Sequence, residues 1–211
     1  MLAIEIQDYI EKHSNIEDEV LNEVERSTNL HTLYPQMLSG RLQGKFLTLL
    51  TSLVNAMHVL EIGTFTGFGS ICLARGLNSK EGKVVTIDVN PEFSFLVKKH
   101  LALAGVEDRV ETLVGDALKL IPQRKEEWDV VYIDANKQEY IEYYKSVFDR
   151  VRVGGLILTD NVLWSGKVVH EPEDADAKVI NRYNEMLVGD PRVEVIMLPI
   201  RDGLSAARKK G

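Results

Sequence analysis

The sequence predicts an α/β fold with a mostly parallel sheet and helices on both of its faces. From residue 57 onward, short β-branched runs alternate with amphipathic stretches, which is the order expected of parallel strands joined by helical crossovers. The last two runs are separated by only a few residues. Because so short a link cannot form a parallel crossover, these two strands should be antiparallel neighbours.

The predicted elements follow one another along the chain. Strands are predicted at residues 57–62, 83–88, 109–114, 128–134, 156–160, 193–199 and 204–208. Helical patterns lie between them, as at residues 93–104 and 140–151. Helices are also predicted in the first 55 residues, where apolar side chains recur at helical spacing, as at Ile4, Ile6, Tyr9 and Ile10. We expect one domain over residues 1–211, with a helical cap (1–55) and a sheet core (56–211).

Composition narrows the class of protein. The 211 residues are 45% hydrophobic and 27% charged, with a net charge of −7, so a broad electrostatic surface for nucleic acid is disfavoured. The lone cysteine, Cys72, cannot form an internal disulfide, which favours a reducing, cytoplasmic setting. No apolar run approaches the roughly 20 residues of a membrane span, and the five histidines are not spaced as zinc ligands.

A glycine-rich turn follows the first predicted strand. Gly63 and Gly67 allow a tight turn and a close approach to a ligand, but their spacing is not that of the dinucleotide-binding motif. Glu61, just before the turn, suits a cationic ligand better than a pyrophosphate. The turn therefore predicts a loop that binds S-adenosylmethionine, the alternative being a glycine turn without a ligand.

Two further strand ends support a nucleoside ligand. Asp88 ends the second predicted strand, where a carboxylate can accept hydrogen bonds from both ribose hydroxyls. Gly115, Asp116 and Ala117 follow the third strand. This last segment is a candidate for the adenine edge, and a simple loop start explains it equally well.

The fourth and fifth predicted strands end in oxygen-bearing side chains. Asp134 ends one, and Asp160 and Asn161 end the next. Mg²⁺ prefers about six oxygen ligands and readily keeps water or substrate oxygens among them. Helix capping would explain either aspartate by itself, but it does not explain the three together. The sequence predicts a magnesium site whose open positions fit the two hydroxyls of a chelating diol.

These segments resemble those of a known family. The chain is similar to the cation-dependent O-methyltransferases, the group that contains caffeoyl-coenzyme A O-methyltransferase and, more distantly, catechol O-methyltransferase. The resemblance runs from about Tyr34 to Arg208 and is carried by LEIGTFTG, IDVN, IDANK, GGLILTDNVLWSGKV and DPRVEVIMLPIRDGLSAARK. It implies a class I methyltransferase fold, a Rossmann-like and mostly parallel seven-stranded sheet with its last strand antiparallel.

The resemblance also implies roles for individual residues. The metal ligands would be Asp134, Asp160 and Asn161, which would hold Mg²⁺, or Mn²⁺ or Ca²⁺ in its place. Lys137 would be the catalytic base beside Asp134, and Trp164 and Asp202 would border the acceptor pocket. The contacts to S-adenosylmethionine would come from Met37, Ser39, Glu61, Gly63, Gly67, Ser70, Asp88, Ala117 and Asp134. The family also commonly forms homodimers, for which Ile4, Leu21 and Leu33 are candidate contacts or core residues.

Three departures from the family pattern bear on the function. Gly69 occupies the position of the usual donor-binding serine, so that Ser70 or the backbone amides at the helix start would take over. Asn136 replaces the usual acid after Asp134-Ala135, which removes one negative charge. Residues 174–184 differ from the segment that plant enzymes use for the coenzyme A arm, which disfavours a coenzyme A ester as substrate.

The expected function is methyl transfer from S-adenosylmethionine to an oxygen of a small vicinal-dihydroxy aromatic, with a phenolic compound as partner and no membrane. One alternative is a tRNA hydroxyuridine O-methyltransferase, for which Lys12, Arg26, Arg41, Lys45 and the basic tail would supply a local patch. Others are a nicotinamide-dependent oxidoreductase, disfavoured by the glycine spacing, and a non-catalytic S-adenosylmethionine binder, disfavoured by the metal set and Lys137.

Overall fold

A computed structural model describes residues 4–211, with side chains from residue 5 onward. The strands are β1 His58–Ile62, β2 Lys83–Asp88, β3 Val110–Val114, β4 Trp128–Ile133, β5 Val151–Asp160, β6 Val193–Leu198 and β7 Leu204–Lys209. The helices are α1 Ile4–Lys12, α2 Glu19–His31, α3 Arg41–Leu53, α4 Phe68–Gly76, α5 Ser94–Ala104, α6 Ala117–Leu120, α7 Tyr140–Phe148, α8 Lys167–His170 and α9 Ala175–Gly189.

The strands of the described residues form one seven-stranded sheet in the order β3-β2-β1-β4-β5-β7-β6. β1 and β4, β4 and β5, and β2 and β3 pair in parallel. β7 runs antiparallel between β5 and β6. The predicted α/β fold and the antiparallel end of the sheet are thereby confirmed. The strand order reverses between β1 and β4, and the carboxyl ends at such a switch point are where open α/β sheets bind ligands.

One compact unit comprises His58–Gly63 and Gly115–Gly211. Its strand β4 is apolar on both faces and buries Trp128, Val130, Val131, Tyr132 and Ile133. α7 packs against β4 and β5, and α9 packs against α7 and β6. The burial of these helices fixes the ends of β4 and β5, because a buried strand cannot shift without disrupting the packed side chains around it.

The other compact unit comprises the described residues up to Met57 together with Thr64–Val114. α3 packs against α4, where the Thr48 hydroxyl donates to the Cys72 carbonyl oxygen at 2.8 Å. Asp18 caps the start of α2, where its carboxylate accepts from the Leu21 amide and pairs with Arg75 at 2.7 Å. These contacts hold α2 and α3 against α4, the helix that follows the glycine turn.

Two predicted boundaries were wrong for the same reason. α7 ends at Phe148 rather than residue 151, and β5 begins at Val151 rather than residue 156. Gly154 and Gly155 hid this strand from a propensity argument, because glycine is depleted in strands. Val151 nevertheless pairs with Trp128 of β4.

The candidate dimer residues differ in exposure. Leu21 is buried and belongs to the core, which leaves it unable to serve as a surface contact, whereas Leu33 is 89% exposed. The side chain of Ile4 lies outside the described residues. The homodimer therefore stays a prediction. A separate observation is that no helix in the part of the chain that the structure describes is long and apolar enough to cross a membrane.

Candidate active site

Two carboxylates converge where β4 and β5 end. Ile133 of β4 is paired with Thr159 of β5, so Asp134 and Asp160 follow neighbouring positions in the two strands. The hydroxyl of Tyr132 lies 3.4 Å from Asp134 Oδ2 and 3.2 Å from Asp160 Oδ2. The structure thus brings together these two predicted site residues, which are 26 positions apart by their sequence numbers.

The surroundings of this carboxylate pair, Asp134 and Asp160, disfavour the ionisation of both side chains at once. Asp160 is 2% exposed, and the side chain of Asp134 is 16% exposed. Burial, followed by the nearby charge of Asp160, raises the pKa of Asp134 to about 7, although Lys137 acts in the opposite direction. Two like charges held close together with little access to water are stabilised by a cation, and carboxylate oxygens are the ligands that Mg²⁺ and Mn²⁺ prefer. The donor set therefore fits a divalent cation.

Asn161 follows the pair in an unusual conformation. Its φ is +58°, a left-handed conformation that asparagine tolerates better than most residues, and its amide donates to Asp160 Oδ1 at 2.8 Å. Among the described residues, no group of three or more His, Cys, Asp or Glu side chains forms a metal site. The predicted third ligand is an amide rather than one of these residues, so its participation stays a prediction.

The loop after Asn161 is tied to the turn between β6 and β7. The amide of Leu163 donates to the Asp202 carbonyl oxygen at 2.9 Å, and the amide of Ser165 donates to the Asp202 carboxylate. Gly203 has a φ of +86°, and a Cβ there would lie 2.5 Å from Leu163 Cγ. Burial, with a smaller contribution from Asp160, raises the pKa of Asp202. Half-buried Trp164 lies in this loop, and its contact with an acceptor stays a prediction.

Lys137 lies beside the carboxylate pair. It begins a short 3₁₀ turn capped by Asn136, whose side chain accepts from the Gln138 amide at 3.3 Å. Its Nζ lies 3.5 Å from Asp134 Oδ1 and 5.8 Å from the centre of the Tyr140 ring. Because its side chain is only 20% exposed, the amine is directed toward the end of β4 rather than into solvent.

Position 63 requires glycine because another segment of the backbone lies against it. Its φ is +104°, and a Cβ at this position would lie 1.9 Å from the carbonyl oxygen of Asp134. The amide of Asp134 donates to the Ile62 carbonyl oxygen at 2.8 Å. The sequence suggested a ligand as the reason for this glycine, whereas the structure adds the close approach of β1 to the metal-ligand candidate Asp134. Glu61, two residues earlier, is buried. In the register of the sheet it lies opposite Tyr132 of β4.

The segment after β3 begins a helix. The Asp116 carboxylate accepts from the Leu118 amide at 3.0 Å and caps α6, and Ala117 is buried at its first position. Helix capping therefore accounts for Asp116 without a ligand. Contact of Ala117 with the adenine stays a prediction.

The second compact unit has its own cavity, of about 310 Å³, at the end of β2. Asp88 lines it, with one carboxylate oxygen accepting from the Phe65 amide at 2.8 Å and the other from the Asn90 amide at 2.9 Å. A carboxylate has about four lone-pair sites, so two bonds leave acceptors for a ligand. Thr64 and Thr112 also line this cavity. The contact of Asp88 with a ribose stays a prediction.

The remaining predicted donor contacts lie in the same unit. Gly67 has a φ of +89° and precedes α4, and Ser70 is fully buried in that helix. Ser39 is buried, and Met37, at the end of a 3₁₀ turn, is 57% exposed. Their contacts with a methyl donor stay predictions.

Two tyrosines of the site were missed by sequence reasoning. Tyr132 contacts both carboxylates, and the Tyr140 hydroxyl donates to the Asp160 carbonyl oxygen at 2.9 Å. Tyr132 carried a usable signal, since residues two apart on a strand share a face and Tyr132 precedes Asp134 by two. Tyr140 carried none, because its partner lies 20 residues away.

Comparison with known proteins connects these observations to a family. A family model described as O-methyltransferase matches residues 11–210. Caffeoyl-CoA O-methyltransferase 1 of Eucalyptus globulus is 35% identical over 205 residues, covering 92% of this chain and 82% of that protein. Caffeoyl-CoA O-methyltransferase 5 of Nicotiana tabacum is 34% identical over 206 residues, covering 92% and 85%.

Solved structures are similar over the whole chain. The O-methyltransferase from Bacillus cereus in complex with SAH has a TM-score of 0.89 at 32% identity, covering 97% of each chain. The O-methyltransferase TomG from Streptomyces achromogenes in complex with SAM has a TM-score of 0.88 at 34% identity, covering 100% of each.

The sheet order and these likenesses define a class I methyltransferase, as the sequence predicted. More specifically, the chain belongs to the O-methyltransferase family, because the model of that family matches nearly the whole length of the chain. The predicted enzyme class, an S-adenosylmethionine-dependent O-methyltransferase, is thereby confirmed.

Proposed function

We propose that this enzyme transfers a methyl group from S-adenosylmethionine to one hydroxyl oxygen of a small vicinal-dihydroxy aromatic, with Mg²⁺ or a similar divalent cation at Asp134, Asp160 and Asn161. The observation that carries the proposal is the convergence of one buried and one largely buried carboxylate beside one lysine. A vicinal diol offers a cation two oxygens, and a monophenol offers one. The carboxylate pair therefore favours a catechol-type acceptor.

The chain's own residues would act on the acceptor as follows. Lys137, whose Nζ lies 3.5 Å from Asp134, takes the proton of the reacting hydroxyl. The oxygen then attacks the methyl carbon of the sulfonium, a C–O bond forms as the C–S bond breaks, and neutral S-adenosylhomocysteine leaves. A bound divalent cation supplies Lewis acidity that favours the ionised hydroxyl. Holding both reactants in line accounts for much of the acceleration.

The donor side of the proposal rests on Asp88 and on the relatives. Two relatives were solved with SAH or SAM bound. Asp88 lines a cavity of about 310 Å³ and would accept hydrogen bonds from the ribose hydroxyls.

The charges near the start of α9 favour a free catechol over a coenzyme A ester. Asp174 caps this helix, accepting from the Asp176 and Ala177 amides, and Lys167 is paired with Asp174 at 3.0 Å. Lys178 is likewise paired with Glu173 at 2.6 Å. With its lysines paired to acids, this segment offers little net positive charge to the phosphates of coenzyme A.

A panel of acceptors tests the proposal. Initial rates would be measured with catechol, caffeate, caffeoyl-coenzyme A, their monohydroxy analogues and bulk tRNA, with S-adenosylmethionine and Mg²⁺ saturating. We expect the free diols to be methylated far faster than the matched monohydroxy compounds. Equal rates on diols and monophenols would contradict the chelate, and a clear preference for tRNA would assign the enzyme to the alternative substrate class.

A further inference from the structure

Tyr132 lies inside the sheet, directly beneath the carboxylate pair. It is paired with Glu61 of β1 and with Leu158 of β5, and it is 1% exposed. Residues two apart on a strand share one face of the sheet, so Tyr132 faces the same way as Asp134, and Leu158 faces the same way as Asp160. The phenol therefore reaches both carboxylates from below.

The hydroxyl is shared between the two acids. It lies 3.4 Å from Asp134 Oδ2 and 3.2 Å from Asp160 Oδ2, both longer than the usual O–H···O range of about 2.5–3.0 Å. One O–H supplies one proton, so the two carboxylates compete for the same donor. Each is thereby drawn toward a common point, against the mutual repulsion of the two charges.

We infer that Tyr132 is a positioning residue, whose buried hydroxyl sets the spacing of Asp134 and Asp160 and so raises the affinity of the enzyme for its divalent cation. The inference rests on the cation site proposed above. It assigns to Tyr132 the part that outer-shell hydrogen bonds play in metal sites, where loss of a group that orients a ligand typically costs about 10–100-fold in metal affinity.

The ring and the hydroxyl have separable roles. The ring is buried on one face of the sheet, and phenylalanine would fill nearly the same space. Tyr132→Phe therefore removes the contact with the carboxylates while leaving the sheet packed. Tyr144→Phe is the matched control, since Tyr144 is equally buried and its hydroxyl also donates to a carboxylate, Asp190, at 3.0 Å.

The experiment measures Mn²⁺ alone. Binding of Mn²⁺ to the 211-residue chain would be followed by electron paramagnetic resonance of the free ion, without methyl donor or acceptor. The wild type, Tyr132→Phe, Tyr144→Phe and Asp160→Ala would be compared. Affinity for S-adenosylhomocysteine and the Tm of each variant would report whether the fold is kept.

We expect Tyr132→Phe to weaken Mn²⁺ binding about tenfold, the lower end of the effect of outer-shell contacts, because both distances are long. Tyr144→Phe should bind as the wild type does, and Tyr132→Phe should keep its affinity for S-adenosylhomocysteine. Unchanged Mn²⁺ affinity in Tyr132→Phe, or an equal loss in Tyr144→Phe, would overturn the inference.

The same data separate this inference from the proposed function. Saturable binding in the wild type that is lost in Asp160→Ala supports the cation site whatever Tyr132→Phe does. A wild type without saturable binding, or binding that survives in Asp160→Ala, would overturn the cation site and the role of Tyr132 together.

Discussion

Replacing Gly63 with alanine should displace the metal-ligand candidate Asp134. The new Cβ would lie 1.9 Å from the Asp134 carbonyl oxygen and 2.6 Å from its carbonyl carbon. Ordinary contact begins at 3.4 Å, so one backbone segment must move by about 1.5 Å. The obstacle is backbone, which cannot rotate away as a flexible side chain would.

The magnitude follows from two costs. Alanine at a φ of +104° is strained by about 1–3 kcal/mol, and the forced shift of the strand end adds about 1–3 kcal/mol. At about 2–4 °C per kcal/mol for a chain of this size, the Tm should fall by about 10 °C. A 1 Å misplacement of a reacting group costs about 100-fold in rate, so kcat should fall by at least that factor.

Gly105→Ala is the matched control. Gly105 ends α5 with a φ of +64°, and a Cβ there would meet nothing within 4 Å. It should show backbone strain alone, about 1–2 kcal/mol, with normal kcat. Thermal unfolding and initial rates of both variants separate strain from collision. A Gly63→Ala enzyme with near-normal kcat and a Tm no lower than that of Gly105→Ala would refute the reasoning.

Three further variants test other parts of the structure. Lys137→Ala should lower kcat by about 10²–10⁴-fold while exposed Lys145→Ala does not, and a near-normal kcat would remove Lys137 as the base. Asp88→Ala should weaken S-adenosylmethionine binding at least about tenfold by calorimetry, since a charge-assisted hydrogen bond is worth about 1.5–3 kcal/mol; unchanged affinity would contradict the ribose contact. Arg192 holds the pKa of Asp190 well below its ordinary value, so Asp190→Asn should cost about 1 kcal/mol of unfolding free energy at pH 7. This difference should shrink as the pH falls below about 4, and a difference independent of pH would contradict the pairing.

Most of the fold was predictable because its signals are local. The spacing of apolar residues along the chain distinguishes strands from helices. The second predicted strand, residues 83–88, matches β2 in full. The boundary between α7 and β5 was not predictable, because Val151 is held in the sheet by its pairing with Trp128, a contact outside any local window.

The candidate site was predictable only in part. Asp134 and Asp160 could be placed at neighbouring strand ends, because parallel strands share a carboxyl edge. The sequence did not reveal that Tyr132 bridges them or that Gly63 abuts the Asp134 carbonyl, since both facts depend on distances across the sheet. The roles of Asn161, Trp164 and the donor-contact residues remain predictions for the experiments above.

The most direct test of the central claim is a divalent-cation titration of methyl transfer. The enzyme would be treated with excess chelator, and methylation of a catechol by S-adenosylmethionine would be followed as Mg²⁺ or Mn²⁺ is restored. The account predicts no turnover in chelator, saturable recovery with either ion, and no recovery in Asp160→Ala, whose carboxylate is one of the two that converge on Tyr132. Undiminished methylation by the wild type in excess chelator would contradict it.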